Sequence, residues 1–356
     1  MKNNLPLVTI IIPCRNEEKT ILNALRSIVR QDYPPHLLEI LIVDGGSEDN
    51  TLPLLNQLIH HYPYHQFRIL SNPHRTTPYA LNLGLTHARG EIIFTFGAHN
   101  RYSPNYISEA VKLLTQTDAA AVGSVAVTLP SAGTPIARAI ARVLASPFGV
   151  GNSLMRLRRR NRTIRSADTA SCPGYRRAVF TKLGVFNTNL VRNHDIEFHL
   201  RLRRVGKKIL LLPSIKTYYY ARARLGDLWR NGFANGYWVI RSTRFAAKPF
   251  TFRHLIPCFF LLTLFLTVCL AVFSPSGRRD FWFLRYLPFL FTTGSYLLLL
   301  LIFSVLTTPS LRDLPCYLIT YPILHFGYGT GSLWGVLTYW RPDPAEKNLT
   351  LKEQKI

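Results

Sequence analysis

Acidic residues and cysteines are scarce in this sequence of 356 residues. It contains 19 Asp and Glu against 43 Lys and Arg, which gives a formal charge of +24, although only 17% of its residues are charged. Five cysteines are too few, and odd in number, for a disulfide-stapled scaffold. Disordered chains are poor in apolar residues, so a hydrophobic content of 47% excludes that class as well. The length indicates two units of ordinary size.

Charged residues are missing altogether from three stretches in the last third of the chain: 255–273, 286–308 and 314–340. A membrane-spanning helix needs about 20 apolar residues, and each stretch approaches or exceeds that number. We therefore predict about three membrane helices over 255–340, followed by a polar tail at 341–356. Because the third stretch contains His325 and the run GYGTGS, it either crosses the membrane or forms a broken helix packed on the other two.

The positive charge lies almost entirely in the first part of the chain, with +21 over 1–253 and +3 over 254–356. Segments rich in Lys and Arg are retained in the cytoplasm, and no secretory signal pattern follows Lys2. We therefore predict a multi-pass protein of the cell (inner, cytoplasmic) membrane. Residues 1–240 form its cytoplasmic domain, and 241–254 form a juxtamembrane linker.

Residues 119–167 contain no acidic residue but eight arginines. Ile136, Ile140 and Val143 share one face of a predicted helix, with Arg138 and Arg142 on another. This pattern is typical of an amphipathic helix at a membrane interface, so we predict a basic interfacial segment at 131–165. We expect this segment to attract anionic lipid, and either to contact only lipid headgroups or to bind a lipid diphosphate. Nucleic acid, the other common partner of a basic protein, is not expected because no nucleic-acid-binding motif is present.

The first part of the chain alternates short apolar strands with amphipathic helices. Strands are predicted at 8–12, 38–43, 67–70 and 91–96, and the helix after the first strand is expected to be capped by Asn16. This alternation predicts an α/β fold with a mostly parallel sheet covered by helices. Ligands bind at the carboxyl ends of such strands, which makes the loops 13–17, 44–49 and 97–101 the candidate site. Taken alone, either of the first two loops is as typical of an ordinary turn and helix cap as of a ligand-binding loop.

Taken together, these loops resemble the family-2 glycosyltransferases. The phrases VTIIIPCRNEE, EILIVDGGSEDNT, SNPHRTTPYALNLGLTHARGEIIFTF, CPGYRRAVFTKLGVF and RNHDIEFHLRLRRVGKKILLLP follow one another over roughly 7–240 in the family's order. The phrase around Val191–Arg203 and the three-span apolar tail are most similar to the succinoglycan-type membrane branch. The resemblance implies the glycosyltransferase-A fold, a Rossmann-like α/β architecture, and the use of nucleotide-diphosphate sugars.

The resemblance also implies a nucleotide-sugar pocket, residue by residue. The pocket residues would be Pro13, Arg15, Glu17, Asp44, Arg75 and Asn82. Among them, Asp44 would contact the base, and Arg75 and Asn82 would face the nucleotide or its phosphates. Many members have Tyr at the position of Arg15, whose guanidinium can also stack on a base.

The end of the fourth strand departs from the family pattern. Most members have Asp-x-Asp there, whose carboxylates hold the ribose and a divalent ion, whereas this chain has Gly97-Ala98-His99. Gly97 removes the ribose contact, and His99 stands at the metal position. Imidazole is a competent ligand for Mn²⁺ and less suited to Mg²⁺. His99 is therefore either a ligand of Mn²⁺ or Mg²⁺ or a plain cap of the strand end, with arginines neutralising the diphosphate instead.

Asp195 is the candidate catalytic residue, because it stands where the family has Glu-Asp or Gln-Asp. Inverting transfer needs one carboxylate to take the proton of the acceptor hydroxyl, and positive charge for the departing diphosphate. A plain helix cap is the alternative for Asp195. The candidates for contact with acceptor or diphosphate are Glu197, Arg230 and Trp238.

We therefore expect inverting transfer of a sugar from a nucleotide-diphosphate sugar to a lipid-linked or saccharide acceptor at the cytoplasmic membrane face. A polymerising synthase is less favoured, because three spans are few for a pore and no Gln-x-x-Arg-Trp motif follows Asp195. The loss of the first Asp at Gly97 leaves a non-catalytic nucleotide-binding or scaffold protein as the alternative. A membrane-tethered nucleic-acid-binding protein is a third, less favoured alternative.

Overall fold

A computed structural model describes residues 5–157, 163–245, 251–273 and 284–341. The chain divides into two compact units. The described part of the first unit runs up to Val127 and resumes at Leu154–Tyr220, and the second unit combines Thr128–Ser153 with Ala221–Arg341. The second unit thus takes in segments that the sequence assigned to the 1–240 domain. Most of the predicted polar tail lies outside the described residues, as do 158–162 of the predicted basic segment and 246–250 of the predicted linker.

The strands of the described chain form a nine-stranded sheet. They are β1 (Val8–Cys14), β2 (Leu38–Asp44), β3 (Gln66–Ser71), β4 (Ile92–Thr95), β5 (Asn100–Tyr102), β6 (Ala121–Pro130), β7 (Arg165–Ser166), β8 (Ser171–Arg176) and β9 (Ile209–Ala221). Their order is β3-β2-β1-β4-β8-β6-β9-β5, and β7 pairs with β9.

The sheet is mixed. The pairings β3-β2-β1-β4 are parallel, whereas β8 pairs antiparallel with β4 and β6, and β9 pairs antiparallel with β5 and β7. The predicted α/β class is confirmed, but only the first half of the sheet is parallel. The antiparallel half joins strands that are distant in sequence. The alternation of strands and helices along the sequence does not predict these pairings.

Twelve α-helices lie in the described residues. They are α1 (Ile21–Val29), α2 (Thr51–His60), α3 (Thr77–His87), α4 (Tyr106–Gln116), α5 (Pro135–Val143), α6 (Pro147–Val150), α7 (Ala178–Leu183), α8 (His194–Arg204), α9 (Leu225–Arg241), α10 (Ile256–Phe273), α11 (Leu287–Thr307) and α12 (Leu314–Leu337). Single 3₁₀ turns occur at Pro35–Leu37, Ser242–Arg244, Phe252–His254 and Leu311–Asp313.

Two apolar cores cover the two faces of the sheet in the first unit. Successive side chains of a strand point to opposite faces, so Ile10 and Ile12 join the core with Leu25 of α1, whereas Ile11 joins the core with Leu81 of α3. All three isoleucines are fully buried. Burial on both faces explains why β1 reads as a continuous apolar run.

The cap of α1 differs from the prediction. The N-cap residue is Thr20 rather than Asn16. Asn16 has a positive φ of 54°, and its Oδ1 accepts a hydrogen bond of 2.8 Å from the backbone N–H of Glu48. Its side chain therefore joins the loops after β1 and β2 at their carboxyl ends instead of capping the helix.

In the second unit, α9 packs along α12 through glycines. A Cβ atom on Gly236 would lie 2.0 Å from the carbonyl oxygen of Tyr328, and one on Gly331 would lie 2.0 Å from that of Phe233. Only glycine permits backbones to approach so closely. α12 is continuous over 24 residues despite Pro322, so the broken helix considered for 314–340 is not observed.

The helix α5 also differs from expectation. It packs on α12, and Ile140 and Val143 on its apolar side are fully buried. On its polar side, Arg138 lies 3.6 Å from Asp313 at the start of α12. The apolar face that the sequence predicted for a membrane interface is therefore covered by protein.

Two helical segments of the described chain are long and apolar enough to span a membrane, Ile256–Phe273 and Leu284–Thr307. Their large apolar side chains, such as Phe265, Phe273 and Phe291, are exposed. The sequence predicted about three spans. α12 does not reach the same apolar composition, and many of its side chains are buried against α9 and α10.

Candidate active site

A cavity of about 520 Å³ lies in the first unit, at the carboxyl ends of the parallel strands. Its wall is formed by the loops after β1, β3 and β4, by β8 and by the beginning of α8. The volume is typical of small-molecule sites, and the position is the one where sheets of this kind bind ligands. The cavity therefore coincides with the edge that the sequence indicated.

Seven of the predicted site residues line this cavity: Pro13, Arg15, Glu17, Arg75, Gly97, His99 and Asp195. They come from positions spread over more than 180 residues of sequence. The sheet order explains their convergence, because β1 lies between β2 and β4, and β8 follows β4.

Unusual backbone conformations are concentrated at the same place. In the described chain, the non-glycine residues with positive φ are Asn16, Arg75, Cys172 and Asn193. Arg75 and Cys172 line the cavity, Asn16 lies between two lining residues, and Asn193 precedes the lining residue His194. Such conformations carry an energetic cost and cluster at functional sites, so their placement supports the assignment.

Asp44 is buried and does not line the cavity. Its carboxylate accepts hydrogen bonds from the backbone N–H of Gly46 at 3.0 Å and from the Ser47 hydroxyl at 2.5 Å. These bonds shape the turn after β2, and the neighbouring Gly45 borders the cavity in its place. Burial, together with the Asp44 carboxylate, raises the pKa of the nearby Cys14 thiol to about 12.

Asn82 lies outside the cavity wall and has a structural partner. Its Nδ2 donates to the carbonyl of Phe186 at 2.8 Å, and its Oδ1 accepts from the N–H of the same residue at 3.0 Å. The pair of bonds ties α3 to the segment between α7 and α8. The nucleotide contact that the resemblance implied for Asn82 stays a prediction, although Asn82 does not line the cavity.

Glu17 and His99 form a pair within the cavity, with Oε1 and Nδ1 3.3 Å apart. Burial opposes ionisation of Glu17, but hydrogen bonds from His99 and Thr20 outweigh it, so the pKa of Glu17 lies below its ordinary value. No cluster of three or more metal-ligating side chains occurs in the described residues. The pair therefore fits a divalent ion whose other ligands are supplied by a bound molecule such as a diphosphate.

Asp195 lies in the first turn of α8 and borders the cavity. One turn further, His199 is fully buried, with Nδ1 2.8 Å from the hydroxyl of Thr169 and Nε2 2.8 Å from that of Tyr175. Burial lowers the pKa of His199 to about 4 and also lowers the pKa of His194, although the Asp195 carboxylate opposes both shifts. Both histidines are thus neutral at neutral pH.

The remaining predicted residues serve other contacts. Glu197 is buried outside the cavity wall, 2.8 Å from Arg201, which also donates to the carbonyl of Leu183. Arg230 and Trp238 belong to the second unit. Arg230 pairs with Asp227 at 2.5 Å, and Trp238 is buried.

Several lining residues received no role from the sequence. The ring centroid of Tyr219 lies 6.1 Å from that of His99. The guanidinium of Arg156 lies 5.5 Å from the centroid of the Tyr219 ring. Asn100, Cys172 and Tyr175 also line the wall. Cys172 and Tyr175 belong to the phrase CPGYRR, and Arg156 belongs to the basic interfacial segment. Neither sequence pattern indicated which of its side chains face a ligand.

Comparison with known proteins identifies the segment that supplies most of the cavity wall, although Asp195 lies beyond it. Residues 9–184 match the family model described as glycosyl transferase family 2. This segment is a family-2 glycosyltransferase domain. The resemblance seen in the sequence is thereby confirmed.

The family-2 domain has curated relatives in archaea and bacteria. The chain is 27% identical over 253 residues to the dolichyl N-acetyl-alpha-D-glucosaminyl phosphate 3-beta-D-2,3-diacetamido-2,3-dideoxy-beta-D-glucuronosyltransferase of Methanococcus voltae, covering 65% of this chain and 77% of the relative. It is 29% identical over 232 residues to the succinoglycan biosynthesis protein ExoA of Rhizobium meliloti, covering 64% of this chain and 67% of the relative.

A solved structure shares the fold of this chain. The mannosyltransferase PcManGT from Pyrobaculum calidifontis, in complex with GDP-Man and Mn²⁺, superposes with a TM-score of 0.58 at 20% sequence identity. The match covers 92% of this chain and 87% of that one. The glycosyltransferase-A fold expected from the sequence is therefore observed.

Proposed function

We propose that the protein is a membrane-anchored, inverting glycosyltransferase. It transfers a sugar from a nucleotide-diphosphate sugar to a lipid-linked or saccharide acceptor at the cytoplasmic face of the membrane. The observation that carries the proposal is the meeting of Asp195 with Arg15 and Arg75 at one cavity. This arrangement supplies a base for the acceptor and cations for the leaving group.

The donor binds across the strand ends. The guanidinium groups of Arg15 and Arg75 neutralise the diphosphate or stack on the base, and Pro13 packs against the nucleotide. Gly45 has no side chain, which lets the ligand approach the backbone there.

The carboxylate of Asp195 acts as the base of the transfer reaction. It takes the proton of the acceptor hydroxyl while that oxygen attacks the anomeric carbon, and the bond from that carbon to the diphosphate oxygen breaks. The bonding electrons leave with the nucleoside diphosphate, whose charge the arginines stabilise. One displacement inverts the anomeric configuration.

A divalent ion would be held by His99 and Glu17 together with oxygens of the diphosphate. The solved mannosyltransferase contains Mn²⁺, and the imidazole of His99 favours this ion over Mg²⁺. When bound, the ion adds positive charge beside the diphosphate. The residues of the chain perform the proton transfer without it.

Of the two acceptor classes in this proposal, the lipid-linked one has more support. The Methanococcus relative is named for transfer to a dolichyl-linked glucosaminyl phosphate. The apolar helices α10 and α11 are suited to hold the chain at the membrane where such lipids reside.

A donor screen tests the proposal. The full chain in detergent is incubated with UDP-, GDP- and dTDP-sugars and an extract of polyprenyl-linked acceptors, with Mn²⁺ and with EDTA. We expect one donor class to be converted to a labelled lipid-linked product, faster with Mn²⁺. Binding of nucleotide without turnover of any donor would instead support the non-catalytic role suggested by Gly97, and absence of both would contradict the proposal.

A further inference from the structure

The space left by the side chain missing at Gly97 is occupied by Asn100. A Cβ atom placed on Gly97 would lie 2.7 Å from Nδ2 of Asn100, closer than real Cβ contacts allow. Both residues line the cavity. A side chain at position 97 would therefore require the carboxamide of Asn100 to shift from the place it has here.

The carboxamide of Asn100 is only partly used by the protein. Asn100 is 8% exposed, and its Nδ2 makes a contact of 3.4 Å with the sulfur of Cys172, a weak acceptor. Its Oδ1 is buried and has no hydrogen-bond partner among the described residues. Buried amide oxygens without a partner are rare in proteins and call for an explanation, such as a missing ligand.

The turn around Asn100 is held firmly. The hydroxyl of Tyr102 accepts from the N–H of Gly97 at 2.7 Å and donates to the carbonyl of the same residue at 3.1 Å. The ring of Tyr102 stacks on Phe96 with centroids 3.8 Å apart. These contacts hold the backbone of the turn from Gly97 to Tyr102, which carries Asn100 in the cavity wall.

We propose that Asn100 binds a ribose hydroxyl of the nucleotide donor, in place of the carboxylate that Gly97 lacks. The inference rests on the proposed function, because it requires a nucleotide in this cavity. A neutral carboxamide offers both a donor and an acceptor, which suits a hydroxyl, whereas a phosphate would need the cations of Arg15 or Arg75. The ribose hydroxyl donates to Oδ1, the carboxamide atom that has no hydrogen-bond partner among the described residues.

The test measures Kd of the full chain for UDP and GDP and for their 2′-deoxy and 3′-deoxy forms. Asn100→Ala is expected to weaken binding of the ribonucleotide about five- to tenfold, the loss of one hydrogen bond, and to leave one deoxy form unaffected. The matched control is Asn105→Ala, since this asparagine follows β5, makes no capping hydrogen bond and does not line the cavity. Its Kd values should equal those of the unaltered chain.

A second pair of variants separates binding from folding. Gly97→Asp alone should weaken nucleotide binding because the new side chain displaces Asn100, whereas Gly97→Asp with Asn100→Ala should restore the preference for ribose over deoxyribose. Equal affinities of Asn100→Ala and the unaltered chain, or an unchanged ratio between ribo and deoxy forms, would overturn the inference. Absence of any nucleotide binding to the unaltered chain would overturn the proposed function and the inference with it.

Discussion

His199 is a titratable side chain fully enclosed beneath the cavity, and its environment makes the stability of the fold depend on pH. Its pKa is lowered to about 4, chiefly by burial, whereas in the unfolded chain a histidine titrates near pH 6.5. Between these values the unfolded state binds a proton that the folded state excludes. The contribution of His199 to stability is therefore complete above about pH 6.5 and is lost as the pH falls to about 4.

We predict that His199→Gln removes this part of the acid sensitivity. The unaltered chain should lose about 2–3 kcal/mol of stability through His199 between pH 6.5 and pH 4, and the variant should lose correspondingly less. His194, whose pKa burial also lowers, contributes equally to both proteins. Unfolding midpoints of both full chains in detergent at pH 7 and pH 4.5 measure the difference, and parallel pH profiles would contradict it.

At the same scale, the sequence predicted the side chains that directly follow β1 and β4, whereas of the candidates on α3 and α8 only Asp195 lines the cavity. Arg15, Glu17 and His99 follow the ends of β1 and β4, so their placement at the cavity is fixed by the sheet order. Asn82 and Glu197 lie on helices, and which face of a helix meets the cavity depends on tertiary packing. Their partners, Phe186 and Arg201, are themselves set by that packing and could not be read from the motifs.

Among the elements, the contact between α9 and α12 depends most strongly on single residues. The sequence indicated a run of small residues at 327–332 but not its partner helix, because the residues that α9 contributes lie about 95 positions earlier. In the structure, Gly236 of α9 lies against the backbone of Tyr328 and against Ser332, whose hydroxyl donates to the Gly236 carbonyl at 3.2 Å.

We predict that Gly236→Ala forces these helices apart. The added methyl group would overlap the Tyr328 carbonyl, and overpacking of this kind costs about 1–3 kcal/mol. Gly294→Ala in α11 is the matched control, because a Cβ there meets no atom within 4 Å and alanine favours the helix by up to about 1 kcal/mol. The unfolding midpoint should fall for Gly236→Ala and hold or rise for Gly294→Ala. The opposite order would show that α9 and α12 do not pack as described.

On the scale of the whole molecule, the uneven distribution of charge and hydrophobicity along the sequence is enough to indicate two units. The parallel half of the sheet could be predicted because each strand is an apolar run followed by a helix. The antiparallel half, the buried apolar face of α5 and the place of 221–240 in the second unit depend on contacts between distant segments, for which the local pattern carries no signal.

We predict that the chain is held in the membrane by its apolar helices. After expression, it should remain in the membrane fraction through an alkaline carbonate wash and enter solution only with detergent, because exposed apolar side chains on α10 and α11 require lipid. Release of the intact chain by carbonate alone would show that these helices do not span the bilayer.

The central claim, that the cavity performs sugar transfer with Asp195 as its base, is tested most directly by Asp195→Asn. Transfer and nucleotide binding are measured on the same preparation of the full chain, with Asp118→Asn as a control on an exposed aspartate paired with Lys208 outside the cavity. We predict that Asp195→Asn lowers turnover at least about 100-fold while Kd for the nucleotide changes less than about twofold. Turnover close to that of the unaltered chain would contradict the account.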